Sequence, residues 1–91
     1  MMVWIKVLGS GCPNCTRLAE LAEKALASVR EDLPEVEGAV EKVTDMDRFL
    51  DYGLLHTPGL VINEKLVSAG KIPSVPTIAG WIREAVSAGQ H

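Results

Sequence analysis

Val3-Trp4-Ile5-Lys6-Val7-Leu8-Gly9-Ser10-Gly11-Cys12-Pro13-Asn14-Cys15 is the stretch that decides the fold. Val3 to Leu8 is apolar on both faces apart from Lys6, the pattern of a central buried strand. Gly9-Ser10-Gly11 reads as a flexible turn, and a helical pattern begins at the cysteines. A thiol at that junction sits among unpaired backbone N–H groups at the positive end of a helix dipole, which favours thiolate. Thiolate is the form that attacks disulfides, so the placement suggests redox chemistry rather than packing. Cys12 and Cys15 are the only two cysteines in the chain. A ring closed between them removes little unfolded-chain entropy, which makes it a poor staple but a usable reversible switch.

Outward from this stretch, Leu18, Ala22, Ala25, Leu26 and Val29 recur at helical spacing, and the helix is expected to end before Pro34. A second strand fits within Val36–Val43. Thr44 or Asp45 can cap a short helix carrying Met46, Phe49 and Leu50, stopped by Gly53. Gly59-Leu60-Val61-Ile62, a turn at Asn63-Glu64 and Lys65-Leu66-Val67-Ser68 read as a hairpin. Ser74 can cap a last helix bearing Val75, Ile78, Ala79, Ile82, Ala85 and Val86, with Pro76 in its first turn. The order is βαβαββα: parallel strands with a right-handed crossover, then an antiparallel pair. The long helices are expected to cover both faces of the sheet.

Ninety-one residues suit a single domain spanning 1–91, and 47% hydrophobic residues supply a core without disulfide staples or a structural metal. The opening residues are too short for the apolar region of a leader and run straight into the cysteine motif. No stretch approaches the roughly 20 apolar residues of a membrane span. A cytoplasmic location follows as the expectation, with no membrane partner. Net charge is −3 and the basic residues are scattered, so no nucleic-acid surface is expected.

The element order, with C-x-x-C after the first strand and Thr57-Pro58 before the third, resembles the thioredoxin/glutaredoxin superfamily. The closest likeness is to the very small prokaryotic thioredoxin-like redox-active disulfide proteins. The resemblance covers nearly the whole chain and implies an α/β three-layer sandwich with a mixed four-stranded sheet and helices on both faces. It implies that Cys12 is the exposed attacking thiol and Cys15 the resolving thiol. Pro58 would be a cis proline facing the cysteines, and Thr57 would offer backbone hydrogen bonds to an extended substrate. Pro13 and Asn14, between the cysteines, join these two as candidate substrate-contacting residues. Cys-Pro-x-Cys is the glutaredoxin-like form, yet Ser68-Ala69-Gly70-Lys71 stands where glutaredoxins carry a glutathione-binding Gly-Gly-x-Asp stretch.

The expected activity is thiol–disulfide exchange on protein disulfides by a monomer with no bound cofactor. Its electrons would come from a separate disulfide reductase or a small thiol. The alternative is a Cu(I) or zinc chaperone using the same cysteine pair. Tetrahedral zinc needs further ligands, and His56 and His91 are too few to complete a site. Small copper chaperones also place C-x-x-C after a first strand, but they resemble βαββαβ and commonly carry Met where Ser10 stands. No metal site is therefore assigned. Two residues are candidates for tuning the thiol pKa: Lys6, if it approaches the dithiol rather than snorkelling to solvent, and His56, otherwise an exposed loop histidine. Trp4, Trp81 and Phe49 are expected in or near the core.

Overall fold

The computed structural model describes residues 2–9, 11–54 and 56–88. Its elements are β1 (Met2–Leu8), α1 (Pro13–Asp32), β2 (Glu37–Val43), α2 (Met46–Asp51), β3 (Gly59–Ile62), β4 (Lys65–Ala69) and α3 (Val75–Ala88). The strands form one four-stranded sheet in the order β2-β1-β3-β4. β1 runs parallel to β2 and antiparallel to β3, and β3 pairs antiparallel with β4.

Alternation along β1 divides the interior. Val3, Ile5 and Val7 face one side, where they pack with Leu18, Ala22 and Val29 of α1 and Ile78, Ile82 and Val86 of α3. Leu8 faces the other side with Val43, Phe49, Leu54 and Val61. Both long helices thus lie on the same face, and α2 alone covers the other, so the expectation of one long helix on each face is corrected. The reason is area: the second face carries a small cluster that a helix of 6 residues can cap. Only Phe49 of α2 is buried, while Met46 and Leu50 stand 72% and 71% exposed.

Trp4 departs from expectation for the same reason. It lies on the α2 face, at the end of β1 that α2 does not reach, and is 50% exposed rather than in the core. Phe49 is buried, and Trp81 is partly buried against the main core.

Local chemistry explains the ends of the elements. Asp45 caps α2 through its carboxylate, which accepts the N–H of Asp47 at 3.0 Å. Gly53, at φ +72°, ends that helix, with its N–H donating to the Leu50 carbonyl and the Leu54 N–H donating to the Phe49 carbonyl. This paired reversal needs a left-handed residue, which glycine supplies without a Cβ clash. In the hairpin turn Asn63 and Glu64 take φ of 50° and 68°, the handedness that matches the twist of the flanking strands. Asn63 is tied to β1: its N–H donates to the Trp4 carbonyl at 2.8 Å, and its side-chain oxygen accepts the Trp4 N–H at 2.9 Å.

Candidate active site

Cys12 is the N-cap of α1 and Pro13 opens the helix, where its missing N–H leaves no donor unused. The Cys12 sulfur accepts the N–H of Cys15 at 3.2 Å, so it takes up one of the donors that a helix start leaves free. No acidic side chain stands in the first turn to oppose a negative charge there. Pro13 and Asn14 are both exposed. Cys12 and Cys15 are joined in a disulfide, with Cα atoms 5.1 Å apart.

The two sulfurs have unlike surroundings. Cys12 is half-buried, whereas Cys15 is 5% exposed. Gly9 makes that burial possible. A Cβ at Gly9 would collide with the Cys15 sulfur and lie 3.0 Å from its Cβ. Gly9 is held in place by its own N–H, which donates to the Val43 carbonyl at 3.0 Å.

The register brings the Thr57–Pro58 segment to the same end of the sheet. Gly59 pairs with Leu8, so Pro58 and Gly9 both leave the sheet beside each other. The Thr57–Pro58 peptide is cis. Thr57 is exposed and Pro58 buried, and the Pro58 carbonyl accepts the Gly70 N–H at 2.8 Å. Leu54 fills the space beside Gly59, where a Cβ would meet its side chain at 2.6 Å.

Lys6 is engaged away from the dithiol. It lies on the α2 face of β1, opposite the face that carries α1, and its ammonium donates to Glu64 Oε1 at 2.6 Å and to the Tyr52 hydroxyl at 2.9 Å. The Tyr52 hydroxyl in turn donates to Glu64 Oε2 at 2.7 Å. Donating to Glu64, and then to Tyr52, raises the Lys6 pKa, and accepting from Lys6 and Tyr52 lowers that of Glu64. Lys6 is a candidate for tuning the thiols only on the condition that it approaches the dithiol; period-two alternation aims it away from the α1 face instead, and a carboxylate on the hairpin turn holds it. His56 is exposed in the loop before Pro58, with its Cβ against Gly70.

A cavity of about 60 Å³ is lined by Cys15 together with Val7, Gly9, Gly11, Thr16, Lys42 and Thr44. The sequence does not place Lys42 or Thr44 near the cysteines, because only strand register brings the end of β2 beside α1. In the sequence Gly9 signals only turn flexibility. A wider groove of about 350 Å³ opens between Trp81 of α3 and Val67 and Lys65 of the hairpin, and neither cysteine lines it. Among the described residues no three His, Cys, Asp or Glu side chains converge where they could hold a metal ion. Ser10 and His91 lie outside the described residues.

The sequence profile of the thioredoxin domain matches residues 3–83. The chain belongs to the thioredoxin family. A thioredoxin of Methanocaldococcus jannaschii is 36% identical over 78 residues, covering 86% of this chain and 84% of that protein. A thioredoxin of Methanothermobacter thermautotrophicus is 32% identical over 73 residues, covering 80% and 88%. Among solved structures, human ERp44 in its zinc-bound form shares the fold at a TM-score of 0.62 and 22% identity. That likeness covers 90% of this chain and 26% of the ERp44 chain. As a thioredoxin-family protein the chain is a thiol–disulfide oxidoreductase, with protein disulfides as its general substrates and a reductase as its general partner. Among the described residues no helix is long and apolar enough to cross a membrane.

Proposed function

We propose that the protein reduces protein disulfides through Cys12 and Cys15, with Cys12 attacking and Cys15 resolving. The observation that carries this reading is the asymmetry of the pair: Cys12 is half-buried at the helix N-cap and Cys15 is closed in behind it. A substrate disulfide reaches the first sulfur before the second.

In the first step the Cys12 thiolate attacks one sulfur of the substrate disulfide, forming a mixed disulfide and expelling the other substrate sulfur as a thiolate. The Cys15 thiolate then attacks the Cys12 sulfur, closes the intramolecular disulfide and expels the second substrate thiolate. Two electrons pass to the substrate, the expelled thiolates take protons from solvent, and the protein is left in the disulfide form described above. Exchange of this kind needs no bound cofactor. A separate reductase or a small thiol returns the pair to the dithiol.

Pro13 and Asn14 lie between the cysteines, Thr57 and Pro58 precede the strand residue paired with Leu8, and these four form the substrate-contacting edge in this reading. An extended segment would lie along the exposed Thr57 backbone, in the manner of a strand added to a sheet edge. The protein acts as a single domain and a monomer in the cytoplasm.

Trapping tests the assignment. Cys12→Ser abolishes turnover, whereas Cys15→Ser accumulates a mixed disulfide with an insulin-type protein disulfide, counted by non-reducing mass spectrometry. Equal trapping by the two variants overturns the division of roles.

A further inference from the structure

The sheet has two outer strands, and they are unlike. β4 is interrupted by a register shift opposite Leu60 and Val61, a local twist that discourages further pairing. β2 runs beside β1 for 7 residues without any shift and is the last strand on its side. Its backbone directions follow from one bond. The Val43 carbonyl accepts the Gly9 N–H, so Val43 points inward toward β1. Strand backbones alternate, so Glu41 and Ala39 also point inward, while Gly38, Val40 and Lys42 each turn one N–H and one carbonyl outward. That row is a template for one more strand.

The two faces along this edge differ in chemistry. On the α1 face lies a groove of about 310 Å³, lined among others by Leu26, Ala27, Arg30, Gly38 and Val40. It adjoins a second of about 360 Å³ at Ala27, Arg30 and Pro34. Gly38 keeps this side low, since a Cβ there would lie 2.8 Å from Leu26 Cδ1 and from Val3 Cγ1. On the opposite face β2 presents the exposed carboxylates of Glu37 and Glu41. The neighbouring Lys6 is committed to Glu64 and Tyr52.

We propose that the β2 edge is a docking site for an extended segment of a partner protein in which Lys or Arg alternates with apolar residues. Directly opposed residues of paired strands share a face. A basic side chain is therefore called for opposite Glu37 and opposite Glu41, and an apolar one opposite Gly38 and opposite Val40, where the groove receives it. The pattern basic–apolar–any–apolar–basic reads the same in both directions, so it suits a parallel or an antiparallel segment. A second copy of this chain does not supply it. In every two-fold antiparallel pairing of β2 with itself, Glu37 and Glu41 fall opposite Glu, Ala or Val and never opposite a base. This edge is separate from the Thr57 segment. It ends at Val43, beside Gly9 and the dithiol end of the sheet, so a partner docked there leaves Cys12 open.

Backbone amide resonances test the site. Isotope-labelled, oxidised full-length protein is titrated with the peptide Thr-Lys-Leu-Thr-Val-Lys-Thr, capped at both ends. Saturable shifts and slowed hydrogen exchange are expected at the outward amides of Gly38, Val40 and Lys42. Joint Glu37→Lys and Glu41→Lys substitution, at exposed positions outside the catalytic site, weakens binding by roughly threefold to tenfold, the range for two cross-strand charge pairs near solvent. A peptide with Glu in place of each Lys recovers the loss on that variant. No saturable shift at the three amides overturns the proposal, as do shifts confined to the Thr57 segment or an affinity indifferent to charge reversal. Shifts at the same amides that grow with protein concentration alone assign the edge to a second copy and overturn it too. None of these results bears on which cysteine attacks, which the trapping experiment decides separately.

Discussion

Replacing Gly9 by Ala probes how tightly the backbone is built around the second sulfur. The added methyl collides with the Cys15 sulfur and approaches its Cβ to 3.0 Å, against about 3.5–4.0 Å for relaxed carbon contacts. Neither side can yield easily. The Gly9 backbone is bonded to Val43, and Cys15 sits in the first turn of α1 at 5% exposure. Overpacking of this kind costs about 1–3 kcal/mol. For a domain of this size each kcal/mol lowers Tm by roughly 4–8 °C, so thermal melts of the oxidised protein should fall by about 5–20 °C. A double-mutant cycle locates the cause. In a Cys15→Ala background the sulfur is gone, and Gly9→Ala should cost less than half as much, the coupling expected of groups in contact. An equal cost in both backgrounds, or a cost below about 0.5 kcal/mol in the wild type, would refute the steric account.

The Lys6–Tyr52–Glu64 cluster gives stability a defined pH dependence. The Glu64 pKa is lowered on folding, so its contribution is present above the ordinary carboxylate value and is lost as pH falls from there through the lowered value; the raised Lys6 pKa gives a contribution present below the ordinary lysine value and lost as pH rises through the raised one. Urea melts of wild type and Glu64→Gln should therefore differ by a constant amount at neutral pH and converge below about pH 4; a difference independent of pH between 3 and 7 would remove the linkage. At Gly80, exposed on α3, a Cβ meets nothing within 4 Å. Gly80→Ala should raise urea-unfolding stability by about 0.5–1 kcal/mol through helix propensity alone, and a loss of stability would show that α3 packs differently.

Much of this was legible in the chain because it is set by local rules. Strand alternation in Val3–Leu8, helical spacing from Leu18 to Val29, the Asp45 cap and the turn at Asn63-Glu64 each depend on residues a few positions apart. So does the position of Cys12 at a helix start, where the neighbouring N–H groups belong to its own first turn. Cysteine spacing therefore points to a redox-active pair from one segment alone, while Thr57 and Pro58 enter only through the resemblance to the thioredoxin superfamily.

What the sequence could not decide depended on which face of the sheet each element covers. Hydrophobic spacing shows that α1 and α3 each bury a stripe, but not that both stripes meet Val3, Ile5 and Val7 while α2 closes the other side. That choice leaves Trp4 half exposed at an uncapped end of β1 and turns Lys6 toward Glu64, residues 58 apart in the chain. It also sets Gly9 against the Cys15 sulfur and brings Lys42 to the cavity that Cys15 lines. The sequence by itself determined the elements and the first sulfur's place at a helix start, because those follow from periodicity and capping within one segment. The tertiary structure decided what surrounds the second sulfur, because that environment is assembled from β1, α1 and the end of β2, whose meeting is fixed only by register and packing.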